Sequence, residues 1–148
     1  MDATTLLTQD HRQVEDLFKQ FEQAGDRAVK TKRDLAQKMM DELTVHTEIE
    51  EEIFYPAVRS KIKAAREEVL ESVEEHHVAE VLINEIKELS PQDESFDAKV
   101  MVLIENVRNH KQEEETELFP QARKAFSREE LDTLGQELER AKEHKQRR

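Results

Sequence analysis

The sequence predicts an all-α protein: an up-down four-helix bundle made from a duplicated helical hairpin, with an additional C-terminal helix. Apolar residues recur at spacings of three, four and seven, which is the pattern of amphipathic helices. Only two glycines and three prolines occur among 148 residues, too few for the turns of a β-sandwich or for glycine-rich phosphate loops. The two halves of the chain also resemble each other, which predicts a repeated unit.

The first two helices each have an apolar stripe and a stop signal. The first stripe covers residues 6–21, before Gly25, which we expect to end the helix, and Asp26, which can cap the next. The second stripe covers residues 35–53. We predict that this helix stops or kinks at Pro56, because a proline ring and its missing N–H disrupt a helix interior.

Three more helices follow in the same way. The third is predicted from Val69 to Leu89 and is closed by Ser90-Pro91, and the fourth runs from Phe96 to Phe119 and ends at Pro120. The segment from Ser127 to Glu130 has the form of a capping box and opens a fifth helix.

Four long helices with short connections are typical of an up-down bundle. We expect residues 1–122 to form the bundle and residues 123–148 to form a C-terminal helix that packs on it or flanks it. A homodimer through this helix is the alternative to a monomer.

Composition excludes several classes of function. The net charge of −12 and the pI near 5.0 disfavour nucleic acid and anionic membranes as partners. The chain has no cysteine, so that a bound metal must use nitrogen and oxygen ligands. The N-terminus shows no signal-peptide pattern and no stretch has the apolar length of a membrane span, so we expect a cytoplasmic protein.

The repeat is clearest in two eleven-residue segments, HTEIEEEIFYP from His46 and HKQEEETELFP from His110. They lie 64 residues apart, and histidine, glutamate, an aromatic residue and proline recur at the same steps. At an offset of 65, the surroundings of His11 match those of His76. The first two helices are therefore repeated as the third and fourth, and matching residues can converge on one central point.

The repeated residues predict a metal site. Residues four apart share one helix face, so His46 with Glu50, and His110 with Glu114, each offer an imidazole and a carboxylate. His11 and His76 would point inward from the other two helices. Imidazole with carboxylate suits iron, manganese or zinc, and two glutamates able to bridge favour a dinuclear iron or manganese site.

Some neighbouring residues have alternative interpretations. The offset of 65 selects His76 over the adjacent His77, which we expect to face solvent or to support a ligand. Tyr55 is expected to serve packing rather than redox chemistry. Among the acidic runs, one glutamate of each is expected to turn inward.

The combined pattern of His11, His46-x-x-x-Glu50, His76 and His110-x-x-x-Glu114 resembles the hemerythrin-like family of HHE cation-binding domains, over about residues 3–122. The resemblance implies a non-haem diiron centre, with manganese or zinc as the other candidates for one position. It makes Glu50 and Glu114 candidate bridging carboxylates and the four histidines terminal ligands. No separate acid–base residue stands out, and we assign no catalytic residue.

Members of this family bind dioxygen, handle peroxide or nitric oxide, sense oxygen or iron, or help repair iron centres. The resemblance therefore implies a small diatomic or peroxide ligand, a role in sensing, detoxification or stress response, and a candidate catalase-like activity. The oxygen-carrying hemerythrins have a second histidine one turn away on the third helix, where this chain has Ser72 and Glu80. A site poorer in histidine favours reactive turnover over reversible carriage, as a hypothesis.

Three rival functions remain. A ferritin-like oxidase or an iron storage or delivery protein would also place iron in a helical bundle, but it normally uses Glu-x-x-His on two helices. Only Glu74-x-x-His77 has that spacing here. The second rival is a metal-free interaction module, whose acidic surface and fifth helix would recruit a basic partner. The third is a module in which metal binding regulates a partner through helix packing, with residues 123–148 as the segment that could detach.

Overall fold

The computed structural model of the protein describes residues 1–25 and 27–148. The described residues form seven α-helices, two five-residue π-helical turns and one 3₁₀ turn. In chain order these are α1 (Ala3–Gln23), α2 (Val29–Ile49), a first π turn (Glu50–Phe54), α3 (Tyr55–Lys61), the 3₁₀ turn (Lys63–Ala65), α4 (Arg66–Lys87), α5 (Glu94–Glu113), a second π turn (Glu114–Leu118), α6 (Phe119–Ala125) and α7 (Arg128–Gln146).

The four long helices pack as the predicted bundle. Helix α1 contacts α2, α4 contacts α5, and the two hairpins meet where α1 lies against α5 and α2 against α4. Helix α7 packs on α1, α2 and the first π turn, outside the four. The described residues contain no β-strand, and none of their helices has the length and apolar content that a membrane span requires. The predicted fold class is confirmed.

Side-chain caps mark the starts of several helices. Asp2 accepts a hydrogen bond from the Thr5 N–H at the start of α1, and Asp93 accepts one from Ser95 at the start of α5. The predicted capping box of Ser127 and Glu130 is present at the start of α7. Asp26, the expected cap of the second helix, lies outside the described residues.

The prediction that the fourth helix ends at Pro120 is wrong, and the second helix does not stop at Pro56. Each helix instead passes through a π turn and continues, to Lys61 and to Ala125. In the turns, the N–H of Tyr55 donates to the carbonyl of Glu50, and the N–H of Phe119 donates to the carbonyl of Glu114. This five-residue spacing displaces the carbonyls that a proline ring would otherwise strike, and each proline then occupies a first helical turn, where a missing N–H is tolerated.

The apolar interior is divided into two clusters. One contains Leu7, Phe54, Tyr55, Phe119 and Leu138 and joins α7 to the bundle. The other fills the opposite end of the bundle, between the outer halves of α1, α2, α4 and α5. The polar site described below lies between these two clusters.

Gly135 in α7 gives a test of how α7 is held. A Cβ atom there would lie 3.0 Å from the Asp2 carbonyl carbon and 3.1 Å from the Ala3 nitrogen, and closer still to the Met1 carbonyl oxygen. Gly135→Ala should therefore lower the free energy of unfolding by about 1–3 kcal/mol, although this change usually stabilises a helix. Urea denaturation measures it. Gly25→Ala is the control, because nothing lies within 4 Å of its added Cβ; equal stability of the two variants would contradict the close approach.

Candidate metal centre

The six predicted site residues meet in the centre of the bundle. His11 comes from α1, His46 from α2 and Glu50 from the π turn that follows, while His76, His110 and Glu114 are their counterparts in the second hairpin. Their exposed fractions lie between 0% for Glu50 and 8% for His110. The duplicated hairpin therefore brings all six into one buried cluster.

The four imidazoles point their Nε2 atoms at the two glutamates. His11 Nε2 lies 3.1 Å from Glu114 Oε1, and His46 Nε2 lies 3.1 Å from Glu50 Oε1. In the second half, His76 Nε2 lies 3.2 Å from Glu50 Oε1 and His110 Nε2 lies 3.3 Å from Glu114 Oε2. Each glutamate thus contacts one histidine from each hairpin.

These atoms form two candidate metal positions that share both glutamates. The first comprises His11, His46, Glu50 and Glu114, and the second comprises Glu50, His76, His110 and Glu114. Within each group, one nitrogen or oxygen per residue lies within 4.8 Å of the others. The arrangement can hold two cations side by side with two carboxylates between them.

Several of the inward atoms make no hydrogen bond. They are His11 Nε2, His46 Nε2, both carboxylate oxygens of Glu50 and Glu114 Oε1. Their close approaches lie off the hydrogen-bonding directions. Buried polar atoms without hydrogen bonds are rare and costly, so that five of them around one point indicate a missing binding partner. Nitrogen and carboxylate oxygen are the donor types that suit a divalent transition metal.

The outer ring nitrogens meet a second set of carboxylates. His11 Nδ1 lies 2.8 Å from Glu115, and His76 Nδ1 lies 2.9 Å from Glu51. The same arrangement supports the other two imidazoles: His46 Nδ1 contacts Asp10 at 3.1 Å, and His110 Nδ1 contacts Glu75 at 3.2 Å. Such carboxylates orient an imidazole and raise its basicity toward a metal on Nε2. The outer carboxylates follow the same duplication as the inner cluster.

One of these supports is reinforced from outside the duplicated hairpins. Lys142 of α7 donates to Asp10 Oδ1 at 2.6 Å, so Asp10 bridges a lysine and His46. The counterpart Glu75 is about one-third exposed. Burial raises the pKa of Asp10, but His46 and Lys142 outweigh it and hold that pKa below its usual value. Helix α7 thus makes the two halves of the site unequal.

The carboxylates also control protonation of the imidazoles. Burial alone lowers the pKa of His46, but Glu50 and Asp10 raise it to about 10. Burial is likewise outweighed at His110, where Glu114 and Glu75 raise the pKa to about 11. Burial alone would raise the pKa of Glu114, but His11 and His110 lie beside it and hold that pKa well below its usual value. The protein without metal therefore holds the cluster together as buried ion pairs.

Tyr55 packs in the apolar cluster, as expected from the sequence, and its hydroxyl also reaches the site. Its hydroxyl donates to Glu114 Oε2 at 2.5 Å and lies 3.2 Å from His76 Nε2 and 3.3 Å from His110 Nε2. Burial, followed by the charges of Glu114 and Glu50, raises the pKa of Tyr55 well above its usual value, so the hydroxyl stays protonated. Phe119 takes the equivalent place in the other half and stacks on His11 with ring centroids 5.9 Å apart.

The π turn explains why sequence periodicity missed Tyr55. In a regular α-helix each residue advances about 100°, so a residue nine positions after His46 would point away from it. The extra residue in the turn reduces that rotation by about one step, which places Tyr55 beside the cluster. The π turn itself could not be read from the 3.6-residue pattern.

The remaining candidates lie outside the cluster. His77 is exposed while His76 is buried, which agrees with the choice made from the offset. Glu74 and Glu80 are also exposed, so the Glu74-x-x-His77 spacing forms no buried pair and Glu80 is not among the inward carboxylates.

Comparison with known proteins identifies one family and one similar fold. The protein-family model described as hemerythrin HHE cation binding domain matches residues 2–122. A crystal structure of a hemerythrin HHE cation binding domain-containing protein from Mycobacterium kansasii is similar, with a TM-score of 0.83, 18% identity, and coverage of 98% of this chain and 87% of that one. At that identity the structural likeness concerns the fold alone.

A curated relative differs in size. A DNA nickase from Nostoc sp. is 32% identical over 148 residues, which is the whole of this chain but only 41% of the relative. The chain thus spans about two-fifths of the length of that protein.

The raised histidine pKa values predict how the metal-free protein responds to pH. Because the pKa of His46 is about 10 and that of His110 about 11, against 6.5 when unperturbed, their ion pairs contribute fully below about pH 6.5. That contribution is lost as pH rises through the folded pKa values. The free energy of unfolding should fall between about pH 7 and pH 9 in urea titrations. The decrease of the unfolding free energy with pH should be smaller in His46→Gln and unchanged in His144→Gln, which is at an exposed position. A rise in stability over this range would contradict the ion pairs.

Proposed function

Because this chain belongs to the hemerythrin HHE cation-binding domain family, we propose that it holds a non-haem diiron centre that binds or reacts with dioxygen, peroxide or nitric oxide. The metal ligands we propose are His11, His46, Glu50, His76, His110 and Glu114. The biological role would be sensing, detoxification or response to oxidative or nitrosative stress, in the cytoplasm as the sequence analysis expects.

One observation carries this proposal. Five buried nitrogen and oxygen atoms of the inner cluster face one another without hydrogen bonds, among groups that offer four imidazoles and two carboxylates. A pair of divalent cations would satisfy all of them, with Glu50 and Glu114 between the two ions. Iron and manganese suit this donor set best, and zinc in one position is the remaining candidate.

The outer carboxylates prepare the imidazoles for this role. Each accepts the proton on Nδ1, which leaves Nε2 free to donate its lone pair inward. The two apolar clusters of the interior lie on either side of the inner residues and hold them in place. The residues therefore need little rearrangement to accept metal, apart from loss of the protons that hold the metal-free ion pairs together.

A diiron pair, when bound, supplies two-electron redox chemistry and an open coordination position for a small ligand. Tyr55 is the protein group that we place beside that ligand. Its hydroxyl donates to Glu114 Oε2 at 2.5 Å, and this hydrogen bond would orient that carboxylate on the side of His76 and His110. The Phe119 side offers no such proton, so the two metal positions are expected to differ in reactivity.

The family resemblance also supports turnover rather than carriage. Oxygen-carrying hemerythrins have a further histidine one turn away on the third helix, and here the positions one turn either side of His76 are the buried Ser72 and the exposed Glu80, neither of them in the inward cluster. Four imidazoles with two carboxylates favour the ferric state more than five imidazoles would. A catalase-like or nitric oxide-handling activity follows as part of the proposal.

Metal content is the first test. Protein purified in air should contain two irons per chain, with absorption bands between about 300 and 600 nm that bleach on reduction. Elemental analysis and spectroscopy before and after reduction measure both. A colourless chain that takes up no iron, and whose stability iron does not change, would overturn the proposed function.

The bridging glutamates give a sharper test. Glu50→Gln and Glu114→Gln should each reduce metal content below two per chain, because an amide cannot replace an anionic bridge between two cations. Glu52→Gln and Glu117→Gln are matched controls on the same π turns, at exposed positions. Circular dichroism checks folding. Full metal content in Glu50→Gln or Glu114→Gln would contradict the assigned ligands.

Metal-dependent regulation is a second candidate, favoured by the contact of Lys142 with Asp10. Through Asp10 and His46, this contact connects residues 123–148 with the cluster in residues 1–122, the two units into which we divide the chain. A change at the cluster could then alter how firmly α7 packs. Ferritin-like storage is disfavoured, since Glu74 and His77 are exposed.

The DNA nickase relative raises the question of a DNA substrate. We propose that this chain has none, because a net charge of −12 repels the phosphate backbone.

A further inference from the structure

The two seams where the hairpins meet differ in a way that the duplication makes visible. At the seam of α1 and α5, Arg108 makes paired hydrogen bonds of 2.7–3.0 Å to Glu15 and Glu22, and Lys111 donates to Glu15 at 2.7 Å. Arg108 also covers the Phe18 ring, 5.7 Å from its centroid. This seam is closed by ion pairs.

The pseudo-equivalent seam of α2 and α4 lacks this network. At the offsets of the repeat, the positions equivalent to Arg108, Lys111 and Glu22 are occupied by Thr44, Thr47 and Lys87. The hydroxyls of Thr44 and Thr47 donate to carbonyls of their own helix. Among the described residues, no arginine or lysine forms an ion pair across this seam.

A cavity of about 430 Å³ occupies the interior behind this seam. It reaches all four site histidines, and its exposed lining residues come from the first π turn and α4, with the half-buried Thr44, Thr47 and Glu48 of α2 also in the lining. Its mouth therefore lies between α2 and α4. Since one water molecule takes about 30 Å³ of liquid, the cavity is far larger than a diatomic ligand requires.

The lining of the cavity indicates what it would hold. The inner wall is apolar and is formed by Val14, Leu43, Ala79, Ile83 and Val107. The mouth has an excess of carboxylates, with Glu48, Glu51, Glu52 and Glu80 against Lys87. Lys145 pairs with Glu48 and Glu52, and Arg148 with Glu48, which reduces this excess without reversing it. Apolar walls favour an organic body of small-ligand size, and the acidic mouth disfavours an anion.

We propose that the α2–α4 seam is a binding cleft for neutral organic molecules with a compact apolar body and a terminal oxygen group, namely alkyl and aryl hydroperoxides and the corresponding alcohols. The apolar body contacts Leu43 and Ile83, and the oxygen group faces the histidine cluster. This inference rests on the proposed function for the choice of hydroperoxides, whereas binding of the alcohol depends only on the cavity.

The test uses cumyl alcohol, a neutral and redox-inert probe, with zinc-loaded and with metal-free protein. Saturation-transfer NMR and calorimetry should detect binding, and the probe methyls should show nuclear Overhauser contacts with Leu43 and Ile83. Benzoate, an anionic probe of similar size, should bind more weakly.

A variant copied from the closed seam tests the position of the cleft. Thr44→Arg with Thr47→Lys would recreate Arg108 and Lys111 opposite Glu80, and should weaken cumyl alcohol binding by roughly tenfold or more, because the side chains fill the mouth. Thr31→Lys with Gln37→Arg adds the same charges to exposed positions of α2 and should bind as the unmodified protein does.

The outcomes separate the two proposals. Absence of cumyl alcohol binding, equal binding of benzoate, or unchanged binding by the closed-seam variant would each overturn the cleft. The Overhauser contacts decide the location in the unmodified protein even if the variant folds poorly. Metal content is measured separately, so that a chain that binds two irons but no cumyl alcohol would refute only the cleft.

Discussion

The structure depends on keeping two carboxylates buried at the centre of a helical bundle. Glu50 is fully buried and Glu114 is 2% exposed, and three of their four oxygens have no hydrogen bond. A buried charge is strongly destabilising unless it is paired. Four imidazoles surround the pair, and an outer set of carboxylates balances the imidazoles. The fold therefore surrounds the central carboxylates with alternating charge, held between two apolar clusters.

This requirement explains why the duplication extends beyond the ligands. Asp10 and Glu75 precede equivalent histidines, and Glu51 and Glu115 follow equivalent glutamates. The outer carboxylates are therefore part of the repeated unit. The two halves of the repeat differ in three respects. Lys142 donates a hydrogen bond to only one of the outer carboxylates, Asp10, and Tyr55 places a hydroxyl in only one half of the site. Thr44 leaves the α2–α4 seam without an arginine.

Much of the fold and the inner cluster could be predicted from the sequence. Amphipathic periodicity is enough to find long helices, and the offsets of 64 and 65 identify which histidines face inward, so His76 could be separated from its neighbour. The ends of the second and fourth helices could not be predicted in this way. Proline normally stops a helix, and no local pattern in Glu50–Phe54 predicts the π turn that precedes Pro56.

The same limit applies to Tyr55 and to the outer contacts. Periodicity assumes regular α-helix, and one extra residue changes which side chains share a face. The pairing of Lys142 with Asp10 joins residues 132 positions apart, a distance at which helix periodicity carries no information. Such contacts follow from packing of whole helices rather than from local pattern.

Each π turn is, in effect, an α-helix with one residue inserted. Deleting a residue from Glu50–Phe54 would let the backbone return to regular helical hydrogen bonding, and the residues that follow would keep their orientation because the turn already takes up one residue. His46 and Glu50 would stay in place, and the phenol, now eight residues after the histidine, would still face the site. Relatives in which the tyrosine follows the histidine by eight or by nine residues can therefore place the same proton donor beside the cluster, so that counting residues alone would hide the equivalence.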